Sequence, residues 1–203
     1  MSTLPPDIST APRERLIGAG LGPRARAFGV DYLVIAGYLI LLTGGARLLQ
    51  RSPLQRVFAV LYRAPASAQL TDTVLFDAPV MLYFALFEAS SWQATPGKRR
   101  LGLQVVTEEG GRARVAQAIA RIVLKFLPWE VAHTSLRRTP GWPRHAQPTA
   151  ANYADYVFVY MLAGAYLASL VTSDSRQTLY DRLTRTRVIV APRLAQASRL
   201  LRA

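Results

Sequence analysis

Asp31, Glu88 and Arg121 each sit inside a long apolar stretch of this 203-residue chain. An ionisable group within a membrane-spanning segment is costly, so each is a candidate for function. Two roles are open for such a set. A carboxylate shielded from water can trade a proton for a cation. Alternatively, acids and bases neutralise one another and fix helix register without a net gain in stability. Asp31 lies about five residues into its run, Glu88 about four before the end of its own and Arg121 about six into a third. At about 1.5 Å per residue, all three fall roughly 6–10 Å below one surface. Arg24, seven residues before Asp31, shares its helix face, and Asp77 shares one with Glu88 if a kink at Pro79 is mild. The expected arrangement is a polar cluster of Asp31 and Glu88 with Arg24, Arg121 or Lys125.

The elements that must position these groups follow from apolar run length. Runs of about 20 residues match the roughly 30 Å hydrocarbon core of a bilayer. Spans are expected over about 27–46, 70–92, 115–136 and 156–173. The third carries Arg121, Lys125, Glu130 and His133 and is interrupted by Pro128. Gly29, Gly37, Gly44 and Gly45 in the first span would permit close helix packing. Leu54, Val57, Phe58 and Leu61 follow a helical stripe, as in a short amphipathic helix at the membrane interface or packed on the protein. Leu101, Leu103 and Val105 alternate with polar or small residues, and Glu108-Glu109-Gly110-Gly111 is a turn signal, so a strand and hairpin are expected there. Thr186–Val190 reads as a second strand able to pair with it. The fold class is therefore an all-α membrane protein. It has four transmembrane helices, a small cytoplasmic β-hairpin or strand element and one interfacial amphipathic helix. Residues 1–22, rich in Pro, Ser, Thr and Gly, are expected to be disordered. Residues 23–191 form the membrane domain, and 192–203 form a basic tail.

The net charge of +13 could suggest nucleic acid. The arginines flank apolar segments instead, which fits the positive-inside rule and anionic headgroups. With four spans, the N-terminus, the 93–114 loop and the C-terminal tail share one side and hold 16 Lys and Arg, against 7 opposite. That places both termini in the cytoplasm. Cysteine is absent, which removes disulfides, thiolate catalysis and Cys-based zinc sites. Glu130, His133 and His145 do not make a metal signature. Thr95-Pro96-Gly97-Lys98 lacks the first glycine of a P-loop and its final Ser or Thr. Lys98, Arg99 and Arg100 are better read as a juxtamembrane contact with lipid headgroups. No nucleophile–base or paired-carboxylate arrangement recommends an enzyme, and no cofactor is expected.

Three segments carry a resemblance. Arg24-Ala-Arg-Ala-Phe-Gly-Val-Asp31, Thr95-Pro-Gly-Lys-Arg-Arg-Leu-Gly-Leu-Gln-Val-Val106 and Leu179-Tyr-Asp-Arg-Leu-Thr-Arg-Thr-Arg-Val-Ile-Val190 resemble, in that order, the motifs of the RDD family of bacterial membrane proteins. The arginine and two aspartates that name the family carry over to Arg24, Asp31 and Asp181. An acidic residue before the Thr-Pro-Gly-Lys motif carries over to Glu88. Arg26 makes the choice of arginine ambiguous, and Pro128-Trp-Glu departs from the general pattern. The resemblance implies a multi-pass protein of the bacterial inner membrane. Most members are described as transporters of unassigned substrate, and cation/proton antiport has been attributed to at least one. One expectation is therefore a small transporter exchanging protons for monovalent cations. Asp31 and Glu88 would be its carriers, and Arg24 and Asp181 would organise its cytoplasmic mouth; such a small bundle would need to homo-oligomerise for a wide pathway. The alternative is a non-transporting module that binds anionic lipid or a partner membrane complex.

Overall fold

A computed structural model describes residues 16–53, 55–142 and 144–191. Most of the segment expected to be disordered and the whole 192–203 tail lie outside the described residues. Residues 16–22 do not fit the expectation of disorder. Gly18 bridges Ile189, Ala19 N donates to Val188 O at 2.8 Å, and a helix begins at Leu21.

The element order is α1 (Leu21–Leu49), α2 (Gln55–Leu61), α3 (Pro65–Asp72), α4 (Ala78–Ala89), α5 (Pro96–Arg100), β1 (Leu103–Thr107), α6 (Val115–Arg138), α7 (Ala150–Thr172), α8 (Leu179–Leu183) and β2 (Thr186–Val190). A π-helical turn, Thr73–Asp77, joins α3 to α4, so Ala66–Ala89 runs as one helix. Among the described residues, three helices are long and apolar enough to cross a membrane: Leu21–Leu49, Ala66–Ala89 and Ala150–Thr172. The third expected span forms helix α6, 24 residues and about 36 Å long, but its charged residues keep it out of that class. It packs instead between α4 and α7, with Arg121 and Ile122 buried. The Thr149 hydroxyl caps α7, and Asn152 Nδ2 reaches back to Ser135 O on α6 at 2.9 Å, which closes the α6–α7 connection. Helix α2 forms where the apolar stripe placed it, with Val57, Val60 and Leu61 exposed.

Two prolines interrupt the long helices, and each leaves one carbonyl without its helical donor. Pro79 cannot donate to Leu75 O. The π-helical turn sits just before it, and the Tyr38 hydroxyl on α1 donates to Leu75 O at 2.5 Å. Pro128 cannot donate to Leu124 O. There the Tyr166 hydroxyl on α7 donates at 2.7 Å. A freed carbonyl with no water nearby is costly, so at both prolines a neighbouring helix supplies the donor. The glycines expected to pack α1 closely do not: a Cβ at Gly29, Gly37, Gly44 or Gly45 would meet nothing within 4 Å. Helix α1 is held to the bundle at particular points instead of along a seam.

At one end lies the sheet. β1 pairs antiparallel with β2, Leu103 opposite Val190 and Thr107 opposite Thr186. The expected pairing of the two strands is present. The expected hairpin is not: after the 108–111 turn the chain makes only a single bridge, Arg112 to Val106. Leu103, Val105 and Val188 pack with Ala19 and Ala27 into a small core beneath the start of α1.

The proline assignment is testable by thermal unfolding in detergent. Tyr166→Phe should cost about 1–3 kcal/mol, the usual penalty for a buried carbonyl left unpaired. In a Pro128→Ala background, where residue 128 can again donate to Leu124 O, the same change should cost markedly less. Equal costs in both backgrounds would sink the assignment.

Candidate functional site

Asp31 is buried on α1 and pairs with no basic side chain among the described residues. It accepts from Thr95 Oγ1 at 2.6 Å, from Gly97 N at 2.8 Å and from Tyr83 Oη at 2.9 Å. These bonds explain the Thr-Pro-Gly-Lys motif residue by residue. Thr95 caps α5 by accepting from Lys98 N, and Pro96 occupies the first helical position, where its missing N–H is harmless. Gly97 lies so close to α1 that an added Cβ would come within 2.2 Å of Ala27 O and 2.7 Å of the Asp31 carboxylate. Only glycine allows that approach. The motif is a clip that fastens α5 to α1.

Lys98 continues the clip inward. Its ammonium pairs with Glu88 on α4, and its side chain is buried. It is therefore not on the exposed surface where a juxtamembrane contact was expected: the carboxylate at the end of α4 draws it inward. Arg99 and Arg100 remain exposed, Arg99 lying 4.2 Å from the centre of the Trp92 ring.

Glu88 also takes Arg121 Nη1 at 2.5 Å, and Arg121 Nη2 reaches Asp181 on α8 at 2.7 Å. Asp181 in turn takes Arg24 Nη1 at 2.7 Å. Arg24, Asp181, Arg121, Glu88 and Lys98 thus form one chain of alternating charge through α1, α8, α6, α4 and α5. Arg24 spends its other donors on Ala19 O at 2.9 Å and Arg176 O at 2.6 Å, whereas Arg26 is exposed. Of the two arginines, Arg24 is the one that enters the ion chain. Its partner is Asp181, however, and not Asp31 on its own helix face.

The expected cluster is thus corrected in three places. Glu88 does meet Arg121. Asp31 belongs to the clip, not to the ion chain. Lys125 pairs with no carboxylate among the described residues. Its ammonium lies 4.1 Å from the centre of the Phe84 ring and 5.4 Å from those of Phe28 and Phe126. Asp77 does not join Glu88; it lies 3.9 Å from Arg137 toward the other end of the bundle.

Beside the ion chain is a cavity of about 390 Å³, with apolar walls from α1 and α7 and with Asp31 and four bases, Arg24, Lys98, Arg121 and Lys125, on its lining. Phe28 lines this cavity and also a second one beyond it. The Phe28 ring stacks 6.3 Å from Phe84, and Phe84 lies 5.5 Å from Phe126, so three aromatic rings separate the two spaces. Sequence reasoning did not single out Thr95, Tyr83 or Tyr180. The Thr-Pro capping signature was a usable signal for Thr95. Tyr180 stood inside the quoted Leu179-Tyr-Asp-Arg motif beside Asp181, whereas nothing local marked Tyr83; both rings meet the site through tertiary packing.

Burial alone would push the Asp181 carboxyl up, but the Arg121 and Arg24 guanidiniums outweigh burial and hold it at about 2.

Apolar helices around a buried ion chain define a helical membrane protein. A family model, the RDD family, matches residues 18–185, and the chain belongs to that family. It is 32% identical over 111 residues to the uncharacterized protein YxaI of Bacillus subtilis (strain 168), an alignment covering 51% of this chain and 72% of that one. No solved structure matches it.

Because its folded value is depressed, Asp181 contributes stability that is full above the unfolded value of about 3.9. That contribution is lost as pH falls toward about 2. Asp181→Asn should cost about 3–5 kcal/mol at neutral pH, since it leaves two guanidiniums without their shared anion. It should also flatten the loss of thermal stability between about pH 4 and pH 2. An unchanged acid limb in the variant would refute the assignment.

Proposed function

We propose that this chain is a multi-pass protein of a bacterial inner membrane, with the sheet end and both termini in the cytoplasm, and that it acts as a binding module and not as an enzyme. Four helices cross: the three apolar ones and α6, whose charges turn inward. The cavity beside the ion chain takes the headgroup of an anionic lipid or a similar anionic amphiphile. One observation carries this reading. Lys125 makes no ion pair or hydrogen bond among the described residues, yet its ammonium lines a cavity with apolar walls. The other three cations on that lining are already committed to Glu88 or Asp181. An unspent ammonium facing an apolar cleft suits an acidic headgroup with its chains along α1 and α7.

Native mass spectrometry of the purified protein with phosphatidylglycerol and phosphatidylcholine tests this. The anionic lipid should be retained preferentially, and Lys125→Gln should weaken its retention about tenfold, on the order of one desolvated charge pair. Equal retention of both lipids, or no effect of the variant, would exclude the site.

A second reading is exchange of a monovalent cation for protons. The observation in its favour is the pair of cavities meeting at Phe28. Against it, both expected carrier acids are saturated: Asp31 by three hydrogen bonds and Glu88 by two cations. In proteoliposomes with a trapped pH dye, the binding-module reading expects no proton movement on adding Na⁺ or K⁺. Cation-driven movement abolished by Asp31→Asn, in a variant that still folds, would establish exchange instead.

A further inference from the structure

The second cavity, about 450 Å³, lies in the half of the bundle away from the sheet, between α1, the α3–α4 helix and α6. Its volume falls within the range of small-molecule sites, about 300–1,000 Å³. Its walls are mainly apolar, with the Phe28, Phe76 and Trp129 rings among them. The charges on the lining are unbalanced: Asp72, Asp77 and Glu130 face a single guanidinium, Arg137. Arg137 lies between the two aspartates, with Nη1 at 2.9 Å from Asp72 and Nη2 at 3.9 Å from Asp77, and its Nε and Nη2 are buried without a hydrogen-bond partner. Glu130 makes no ion pair among the described residues, and its Oε1 is buried without a hydrogen-bond partner. His133 is turned to its own helix, its Nδ1 3.1 Å from Trp129 O and its ring packed on Trp129.

A buried carboxylate oxygen with no partner is costly and calls for a positive group. The chemistry of the surroundings narrows which one. Among the described residues no group of three His, Cys, Asp or Glu is spaced to hold a metal ion. Asp72 and Asp77 are turned to Arg137, so the cavity offers one unpaired carboxylate and not the roughly six oxygens that replace the water shell of a small hard cation. A large cation whose charge is spread and weakly hydrated needs no such shell. It needs a carboxylate for its charge and aromatic faces for its surface. An anion is disfavoured by the carboxylate excess.

We propose that this cavity is a binding site for a lipophilic organic cation, of the quaternary ammonium or phosphonium class, with Glu130 as its counter-ion and Trp129 and Phe76 as its aromatic walls. The site is separate from the cationic cavity and does not depend on what that one binds.

Equilibrium dialysis of the purified full-length protein in detergent against radiolabelled tetraphenylphosphonium tests the proposal. Saturable binding at one site per chain is expected. Glu130→Gln keeps the shape and removes only the charge, and it should weaken binding by about tenfold or more while leaving thermal unfolding unimpaired, since the acid has no partner to lose. Trp129→Leu should weaken it independently. Glu109→Gln, which removes an exposed acid on the turn after β1, should bind as wild type. Uncharged triphenylphosphine oxide should displace the probe poorly. Non-saturable uptake, wild-type affinity in Glu130→Gln, or equal competition by the neutral compound would each overturn the proposal and reduce the cavity to a greasy cleft.

Discussion

Glu88 is surrounded: a fully buried carboxylate at the end of α4 holds Lys98 from α5 and Arg121 from α6. Through Arg121 it is tied to Asp181 on α8, and through Asp181 to Arg24 at the start of α1. Removing one member of such a chain leaves an uncompensated charge out of reach of water, at a cost of about 3–5 kcal/mol. No member can move alone, and the elements that carry them are placed together. Helices α5 and α8 have only five residues each and could not hold a position by their own apolar burial. The ion chain is what places them.

The sequence displayed the members of this chain but not their pairing. Arg24, Asp31, Glu88, Arg121 and Asp181 are conspicuous because they are charges within apolar or motif-rich segments. Arg24 and Asp31 share a helix face, and that made them look like a pair. Their true partners, Asp181 and Thr95, are 157 and 64 residues distant and become neighbours only when the sheet folds back. The strands were legible from their period, and so was their pairing. The hairpin was not, because a turn signal shows that the chain reverses, not what it then meets. Lys98 misled for a related reason: basic residues before a strand look alike in sequence, and only the buried carboxylate of Glu88 separates Lys98 from Arg99 and Arg100. Helix α6 was legible as a helix and ambiguous as a span, because its charges point at neighbours that hydropathy does not see.

Helix α1 shows how a long apolar helix can be fastened without close packing. At the sheet end the Asp31 clip grips it through three hydrogen bonds. Farther along, the Tyr38 hydroxyl takes the carbonyl that Pro79 frees. Just before Asp31, Phe28 leans on Phe84. The spaces on either side of Phe28 are the two cavities. They are a consequence of point attachment: a helix held at intervals leaves room that a ridge-in-groove contact would have filled. The kinks and the cavities therefore share an origin, since the prolines supply the carbonyls to which neighbouring tyrosines attach.

The interior charges also bear on topology. At the sheet end, Arg24, Lys98, Arg121 and Lys125 outnumber Asp31, Glu88 and Asp181 by one. At the other end, Asp72, Asp77 and Glu130 outnumber Arg137 by two. The bundle is thus positive toward the sheet and negative away from it, the same sense as the bias in its loops. A membrane potential negative inside contributes about 2.3 kcal/mol per elementary charge carried across 100 mV, and smaller amounts for charges partway through. It favours the orientation with the sheet end inward. Arg24, Lys98 and Arg137 belong to both sets, so the interior polarity and the loop bias are one charge pattern and not two: basic residues gather toward the sheet, and the buried carboxylates beside them are what let some of those bases turn inward.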